Sequence, residues 1–232
     1  MKPEQLGPYV LTLTEDCFPL GEDSLALGGF ASVRPGLRVC DLGCGGGTLL
    51  FLLARREAAL SLTGIELSPG PAETARHNLT GNGLTGTVLT GDLRDRGLLS
   101  REGFDLAVSN PPYFASGSGR SGGQARCEET CTLDELCAAA GYILKSGGRF
   151  ALVHRPERLA ALFSTLAAHR LEPKRLQFLA HSPQTPPSAV LVEAAKNGRP
   201  GLAVLPPLIR RPTSGTLSQA GGSPSPGLCG RP

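Results

Sequence analysis

The sequence predicts an α/β fold: a mostly parallel seven-stranded sheet with helices on both faces and an antiparallel hairpin that closes it. From Leu37 onward, short apolar runs alternate with helical patterns, which is typical of a β-α-β series. The first apolar run enters a glycine-rich turn at 43–47, as strand-to-helix connections in such sheets often do. Two apolar runs at 174–180 and 188–195 then follow one another without a helix between them, which indicates a hairpin.

Capping residues, prolines and glycines set the bounds of the predicted elements. Ser68 is a capping residue with Pro69 at the first helical position, and that helix stops at Gly81-Asn82-Gly83. Asp23 is the predicted cap of an earlier helix, and Ser146-Gly147-Gly148 is a predicted turn. The predicted strands are 37–41, 60–66, 87–90, 104–109, 149–153, 174–180 and 188–195, and the predicted helices are 24–32, 48–56, 69–81, 133–144 and 156–169.

The 232 residues are enough for one such domain with tails. Residues 1–34 are a predicted lead-in that contributes to the site, and residues 35–197 form the domain. Residues 198–232 are rich in Pro, Gly and Ser without periodicity, which predicts a disordered tail. The Gly/Ser-rich segment 115–124 is expected to be mobile.

Charge and cysteine usage restrict the location and partners. The net charge of +3 is uneven: residues 1–141 hold 11 Lys/Arg and 17 Asp/Glu, and residues 142–232 hold 12 and 3. A basic second part is compatible with a polyanionic partner or with a solvated basic face. No apolar run of membrane length and no signal peptide is visible, and the seven cysteines are an odd number, so we expect a reducing, cytoplasmic location without a membrane. The spacing of Cys127, Cys131 and Cys137 does not contain the paired Cys-x-x-Cys motifs of metal sites, so no metal is predicted.

The most prominent loop has the pattern D-x-G-x-G-x-G. Asp41 stands two residues before Gly43, and Gly45 and Gly47 follow. A dinucleotide fingerprint would require glycine at position 48, which is Thr48. The acid suits a cationic or amino-bearing ligand rather than a pyrophosphate, and the alternative is a glycine-rich turn without a ligand.

Acidic residues end the next two strands. Glu66 follows the second strand, where a carboxylate can accept hydrogen bonds from a ribose diol. Asp92 follows the third strand, where it or neighbouring backbone amides can bind the amino edge of an adenine. A solvated carboxylate and an ordinary helix cap are the respective alternatives. The predicted cofactor-binding residues are Asp41, Gly43, Cys44, Gly45, Gly47, Glu66, Leu67, Gly91, Asp92, Leu93 and Asn110.

The tetrapeptide Asn110-Pro111-Pro112-Tyr113 ends the fourth strand and supplies the predicted catalytic residues. An exocyclic amine on a purine is a poor nucleophile because its lone pair is delocalised. The Asn110 side-chain oxygen and the Pro111 carbonyl would accept its N–H groups and free that lone pair, while Tyr113 would stack on the base. Carboxyl ends of parallel strands share one sheet edge, so all four elements are expected to meet there.

These residues resemble the class I S-adenosylmethionine-dependent methyltransferases, with a Rossmann-like fold, over 37–195. The Asn-Pro-Pro-Tyr tetrapeptide is similar to that of the amino-methyltransferases. The lead-in from Phe18 to Leu27 and the stretch Ala125-Arg126-Cys127-Glu128 resemble the bacterial valine-tRNA adenine-N6-methyltransferases, although Cys127 stands where that family has His. The resemblance implies S-adenosylmethionine as donor and an adenine beside a tRNA anticodon as target.

Three functions therefore remain open at the sequence level. The first is methylation of adenine N6 in RNA, with the base flipped out over Tyr113. The second is methylation of guanine N2 in ribosomal RNA or of a protein glutamine, although release-factor enzymes carry a larger amino-terminal domain. The third is a non-catalytic RNA-binding module, against which the intact glycine loop and tetrapeptide count. Candidate phosphate contacts are Arg149, Arg155, Arg158, Lys174 and Arg175. The oligomeric state is not predicted.

Overall fold

Residues 3–111 and 131–209 are described by the computed structural model of the protein. Their strands and helices alternate as the apolar patterns predict. The strands are β1 (Pro3–Leu6), β2 (Tyr9–Thr12), β3 (Arg38–Leu42), β4 (Ser61–Glu66), β5 (Gly86–Thr90), β6 (Phe104–Ser109), β7 (Leu144–His154), β8 (Leu171–Ala180), β9 (Ala189–Lys196), β10 (Ala203–Val204) and β11 (Leu208–Ile209). The helices are α1 (Glu22–Phe30), α2 (Thr48–Arg56), α3 (Pro69–Gly81), α4 (Leu133–Ile143) and α5 (Leu159–Ala168).

The main sheet has the strand order β10-β8-β9-β7-β6-β3-β4-β5, with β11 also paired to β8. Strands β3 to β7 are parallel, and β9 runs antiparallel between β7 and β8. The predicted seven strands are confirmed as β3 to β9, with the closing hairpin made by β8 and β9. The chain moves outward from β3 to β5 and then returns to β6 on the other side of β3. This reversal opens a crevice at the carboxyl ends of β3 and β6, where open α/β sheets bind ligands.

Alternation along the strands divides the core between the two faces of the sheet. Val39 of β3 is buried in a cluster with residues of α1, α2 and α3. Cys40 and Leu42 point to the opposite face, where they pack with residues of α4 and α5. Both faces are therefore covered by helices, as the mixed pattern of the sequence predicts. No helix among the described residues is long and apolar enough to cross a membrane.

Two asparagines, one in α3 and one at its carboxyl-terminal cap, attach the amino-terminal hairpin β1–β2 to the domain. The Asn82 side chain accepts from the Val10 amide and donates to the Val10 carbonyl, both at 2.8 Å. The Asn78 side chain makes the same pair of bonds to Thr12, and its Nδ2 also donates to the Gly46 carbonyl at 3.0 Å. The two side chains make the backbone hydrogen bonds with β2 that a neighbouring strand would otherwise make. Asn78 also links the glycine loop to α3.

Several predicted boundaries are corrected by the structure. Helix α1 begins at Glu22 with Gly21 at its cap position, so Asp23 lies inside the first turn instead of capping it. Ser68 occupies the cap position of α3 but makes no side-chain capping bond. The predicted turn at 146–148 is an irregularity within β7, and residues 156–158 form a 3-10 turn before α5.

The predicted disordered tail is wrong over residues 203–209. Strands β10 and β11 lie in this segment and pair with β8 in parallel. Each has two residues, which is too short for an alternation pattern to indicate a strand. Residues 210–232 and the segment 115–124 lie outside the described residues.

Adjacent glycines of α1 are expected to respond oppositely to alanine. A Cβ on Gly28 would lie 2.6 Å from the Cβ of Leu52 on α2, whereas a Cβ on Gly29 meets nothing within 4 Å. Because the Leu52 Cβ is fixed to the backbone, Gly28→Ala must push the helices apart and should cost about 1–3 kcal/mol of unfolding free energy. Gly29→Ala should instead stabilise the protein by about 0.5–1 kcal/mol. Urea unfolding of the two variants measures both, and equal losses would contradict the close packing of α1 on α2.

Candidate active site

A cavity of about 450 Å³ lies at the carboxyl ends of β3 and β6. It brings together Asp41, the glycine loop and Asn110, as the sequence predicts, and adds a wall from the lead-in. Its lining residues are Phe18, Pro19, Gly21, Glu22, Asp23, Ser24, Asp41, Gly43, Cys44, Gly45, Gly46, Thr48, Leu49, Asn110, Pro111, Arg155 and Ser188. The sequence did not single out Phe18, Ser24 or Ser188 as site residues, because the first two stand 86 or more positions before Asn110 and Ser188 lies in a loop without a motif.

The glycine loop turns sharply between β3 and α2. Gly43, Gly45 and Gly47 have positive φ angles of +79°, +50° and +92°, a region that residues with a Cβ rarely adopt. Gly46 is constrained differently, since a Cβ there would lie 2.5 Å from Leu13 Cδ2. The loop backbone therefore borders the cavity without intervening side chains at these positions.

Asp41 is the buried acid of the site. Its side chain is 1% exposed, and its Oδ1 atom has no hydrogen-bond partner among the described residues. Burial raises the pKa of this carboxyl well above its usual range, and the negative charge of Glu66 adds to the rise. A buried carboxylate oxygen without a partner is costly unless a donor from a ligand completes it. A ligand with an ammonium group or a positively charged sulfur fits this position.

Glu66 braces the loop from the end of β4. Its two carboxylate oxygens accept hydrogen bonds from the backbone amides of Gly45 and Ser68, each at 2.9 Å. Each carboxylate oxygen can accept a second bond, so these contacts leave room for a diol. Glu66 does not line the cavity described above, and its contact with a ribose stays a prediction.

The residues after β5 form a separate cluster. The Asp92 carboxylate accepts from the Arg94 guanidinium, with Nε 2.9 Å from both oxygens, and these bonds lower the pKa of Asp92. Arg94 also contacts Glu135 of α4 at 3.2 Å. Asp92 therefore faces a guanidinium in this structure, and its predicted contact with an adenine remains a prediction.

The three neighbours predicted to contact the cofactor differ in exposure. Leu67 is 45% exposed just after β4, and Leu93 is partly buried against the α4 side of the core. The Gly91 amide donates to the Glu66 carbonyl at 2.9 Å. An exposed Leu67 beside the braced Glu66 is compatible with the predicted contact.

Asn110 follows β6 and faces the amino-terminal turn of α1. Its Nδ2 donates to the Ser24 hydroxyl oxygen at 2.8 Å. Ser24 is 8% exposed, so this bond lies away from bulk solvent. Pro111 lines the same cavity, whereas Pro112 and Tyr113 lie outside the described residues. The lead-in thus supplies a direct partner for the predicted catalytic amide.

The five basic residues predicted to contact phosphates are distributed over the molecule. Arg155 lines the cavity, and Arg158 lies one turn further on. Arg175 is engaged internally, because it contacts the buried Glu193 at 3.3 Å and the Ser32 hydroxyl at 2.8 Å. Lys174 donates to the Arg199 carbonyl at 2.9 Å.

Arg149 lies at the opposite edge of the sheet, because it lines another cavity together with Lys145. The structure therefore places the five candidate phosphate contacts at different surfaces, and their contact with phosphate stays a prediction. Arg155 and Arg158 follow the carboxyl end of β7, where Arg155 lines the candidate active site, whereas Lys174 and Arg175 lie on β8.

Residues 30–168 match the methyltransferase small domain family. A tRNA1(Val) (adenine(37)-N6)-methyltransferase of Porphyromonas gingivalis is 33% identical over 186 residues, which span 75% of this chain and 73% of that protein. A predicted O-methyltransferase from Agrobacterium tumefaciens superposes with a TM-score of 0.67 at 24% identity, covering 81% of this chain and 86% of its own.

A geranyl diphosphate C-methyltransferase from Streptomyces coelicolor, solved with S-adenosyl-L-homocysteine, has a TM-score of 0.54 at 15% identity and covers 74% of this chain and 80% of its own. These structures share the Rossmann-like class I methyltransferase fold, which confirms the fold predicted from the sequence. Together with the match over 30–168, they lead to one assignment: the chain belongs to the methyltransferase small domain family.

Proposed function

We propose that this protein transfers a methyl group from S-adenosylmethionine to the exocyclic N6 of an adenine in tRNA. One observation carries the proposal: a single cavity joins Asp41, whose buried Oδ1 has no partner within residues 3–111 and 131–209, to the amide of Asn110. The name of the Porphyromonas relative supports the adenine and the tRNA, and the S-adenosyl-L-homocysteine in the Streptomyces structure supports the donor.

The chemistry of the cavity suits this donor. When bound, S-adenosylmethionine supplies an electrophilic methyl group on a positively charged sulfur. Asp41 would meet a positive group of the donor, and the Gly43–Gly47 backbone lets it approach closely. Glu66 and the residues around Asp92 would hold the ribose and the adenine. No metal-binding cluster of His, Cys, Asp and Glu occurs within residues 3–111 and 131–209.

Asn110 and Pro111 would act on the target amine. Their oxygens accept its N–H groups, so the nitrogen lone pair is less delocalised into the purine ring and can attack the methyl carbon. The nitrogen would gain positive charge during the transfer, and these acceptors would stabilise that charge until the proton is lost to solvent. The cavity-lining residues given above include no histidine. Burial raises the pKa of the Cys44 thiol, which keeps it neutral.

Residues 1–34 are proposed to be part of the catalytic centre rather than an independent module. The Ser24 hydroxyl accepts from Asn110 Nδ2, so the amide oxygen is turned away from α1. A side chain held in this way loses little entropy when the substrate binds. Ser24 is therefore a positioning residue that acts through Asn110.

Ser24→Ala should lower the turnover number by about 10- to 100-fold because the amide loses its fixed direction. The KM for the donor should stay unchanged, and Ser24→Thr should restore most of the activity because it keeps the hydroxyl. Steady-state kinetics in the wild-type and Asn110→Ala backgrounds provide the check. Ser24→Ala should have no further effect when Asn110 is absent, and an equal loss in both backgrounds would contradict the positioning role.

The test of the function is a methyl-transfer assay with radiolabelled S-adenosylmethionine. Unmodified bulk tRNA, ribosomal RNA and a release factor are offered in parallel, and labelled nucleosides are identified by mass spectrometry. Label in N6-methyladenosine from tRNA is the expected result. Label in N2-methylguanosine or in protein would overturn the substrate, and donor binding without transfer to any of them would overturn the function.

A further inference from the structure

A second cavity lies at the edge of the sheet opposite the candidate active site. Its volume is about 260 Å³. The carboxyl ends of α4, α5 and β9 meet there with the turn that precedes β6, so it borders the amino ends of β6 and β7. Its lining residues are Arg96, Arg101, Glu102, Gly141, Tyr142, His169, Arg170, Lys196 and Asn197.

The charge of this cavity is positive after its internal pairs are counted. Lys196 contacts Glu102 at 3.0 Å, so these two charges are matched, and the His169 ring Nε2 lies 2.7 Å from Asp134 Oδ1. Arg101 and Arg170 are exposed, and within residues 3–111 and 131–209 neither makes a salt bridge or a side-chain hydrogen bond. The pKa of Glu102 is lowered first by Lys196 and also by the charges of Arg101 and Arg170, so this one carboxylate faces three cations and the two guanidinium groups keep donors for a ligand.

A third guanidinium stands beside these two. Arg96 lies over the ring of Tyr142 at 5.2 Å from its centroid, which fixes the side chain without neutralising its charge. Three arginines around one small cavity attract an anion, and the planar guanidinium suits phosphate oxygens in particular.

The backbone around the cavity is strained. The three non-glycine residues with positive φ in the described chain are Glu102, Arg170 and Asn197, and all three line this cavity. Arg170 stands just after α5, where helices commonly place glycine, and has a φ of +60°. Strained residues of this kind persist when their side chains are needed at a fixed place, as in ligand clamps.

The walls that carry the arginines are fixed. The Asn197 amide donates to the Arg170 carbonyl at 2.8 Å, and the Glu102 amide donates to the Tyr142 carbonyl at 3.1 Å. Lys196 is only 7% exposed and its Nζ also donates to the Leu144 carbonyl at 2.7 Å. The cavity is thus built from hydrogen-bonded segments of four different elements rather than from one surface loop.

We propose that this cavity binds a phosphate group of the RNA backbone through Arg96, Arg101 and Arg170. The inference rests on the proposed function, because it takes the RNA as ligand. The six residues of β6 separate the two edges by on the order of 20 Å, a span that a folded tRNA can bridge while its target base is in the active site. The contact is a backbone contact, so it adds affinity and orientation but no base specificity.

The experiment measures binding of the full chain to unmodified bulk tRNA as a function of salt. The test variant is Arg101→Gln/Arg170→Gly, in which glycine also relieves the strained position. The control is Arg34→Gln/Arg55→Gln, which removes two exposed arginines that do not line this cavity. The slope of log K against log salt should become shallower by about 1–2 for the test variant, since each lost phosphate contact removes about 0.7–0.9. Its melting temperature should not fall.

The outcomes separate this proposal from the proposed function. Turnover at saturating RNA and donor affinity should stay at the wild-type level for both variants. A slope equal to that of the control would overturn the phosphate site even if tRNA is methylated. A shallower slope with no methyl transfer by the wild type would instead support the site and overturn the function. Inorganic pyrophosphate is the second probe. If the cavity serves a free phosphate compound, it should bind pyrophosphate while the salt slope of tRNA binding is the same in the test variant and the control. That result would also overturn the assignment of RNA as the ligand.

Discussion

Asn110→Ala should reduce the turnover number by about 100- to 1,000-fold, the loss typical of removing one preorganised hydrogen-bonding group that stabilises developing charge. The affinity for S-adenosylmethionine should fall far less than the turnover number, because Asn110 is one of several predicted donor contacts, and Asp41 and the glycine loop are intact. The physical reason lies in the target nitrogen, whose lone pair stays in the ring when Asn110 no longer accepts its N–H group. Single-turnover rates with saturating donor and RNA, together with donor binding by calorimetry, measure the two quantities separately.

Two controls sharpen this prediction. Asn110→Asp keeps an acceptor oxygen at the same place and should retain more activity than alanine does. Asn82→Ala removes an amide that holds the hairpin at Val10, far along the chain from the tetrapeptide, and should affect stability more than turnover. Normal methylation by Asn110→Ala would contradict the proposed role of Asn110 as an acceptor for the target amine.

Asp41→Asn should weaken donor binding and stabilise the ligand-free protein at the same time. The loss of a charge-assisted bond to a cationic group corresponds to about 1.5–3 kcal/mol, or roughly 10- to 150-fold in Kd. The gain in stability arises because the wild-type protein must either bury an ionised carboxylate, whose Oδ1 has no partner among the described residues, or take up a proton to avoid doing so. The neutral amide avoids that cost.

The pH dependence of this pair has a definite sign. The pKa of Asp41 is raised in the folded state, first by burial and then by Glu66. Between the unfolded value of about 3.9 and the raised folded value, the folded state binds the proton more tightly, so wild-type stability falls as pH rises. The difference in melting temperature between Asp41→Asn and wild type should therefore grow as pH increases from about 4 towards the folded pKa, and then level off. A lower melting temperature of the variant at neutral pH would contradict the prediction that the buried Asp41 carboxyl destabilises the ligand-free protein.

The sequence was sufficient for the features that depend on local pattern. Apolar runs and glycine punctuation predict β3 to β9, and Asp41, the glycine loop and Asn110 were predicted at one edge because parallel strands end together. Contacts between distant positions could not be predicted in this way. The bond between Ser24 and Asn110 joins residues 86 apart, and the ion pair between Arg94 and Glu135 joins residues 41 apart.

Short strands and buried networks were missed for a related reason. Strands β10 and β11 have two residues each, so their pairing with β8 depends on an available edge rather than on their own alternation. Arg175 was predicted to contact phosphate from its sequence neighbourhood, but Glu193, fully buried on β9, attracts it instead. Arg175 and Glu193 lie opposite each other in the register of β8 and β9, so the pair becomes visible only when the two strands are aligned.

Glu193 also contacts Ser32 just after α1, and this contact sets an order for assembly during synthesis. Glu193 accepts from the Ser32 amide at 2.8 Å and from its hydroxyl at 2.9 Å, across 161 positions of sequence. Ser188, which lines the cavity, emerges from the ribosome almost as late. The glycine loop can fold early against α3, but the wall that encloses it is held by β9, a strand that is synthesised after β3 to β8. A nascent chain that stops before β9 would therefore contain Asp41, the glycine loop and Asn110, but it would lack the wall that encloses them in one cavity.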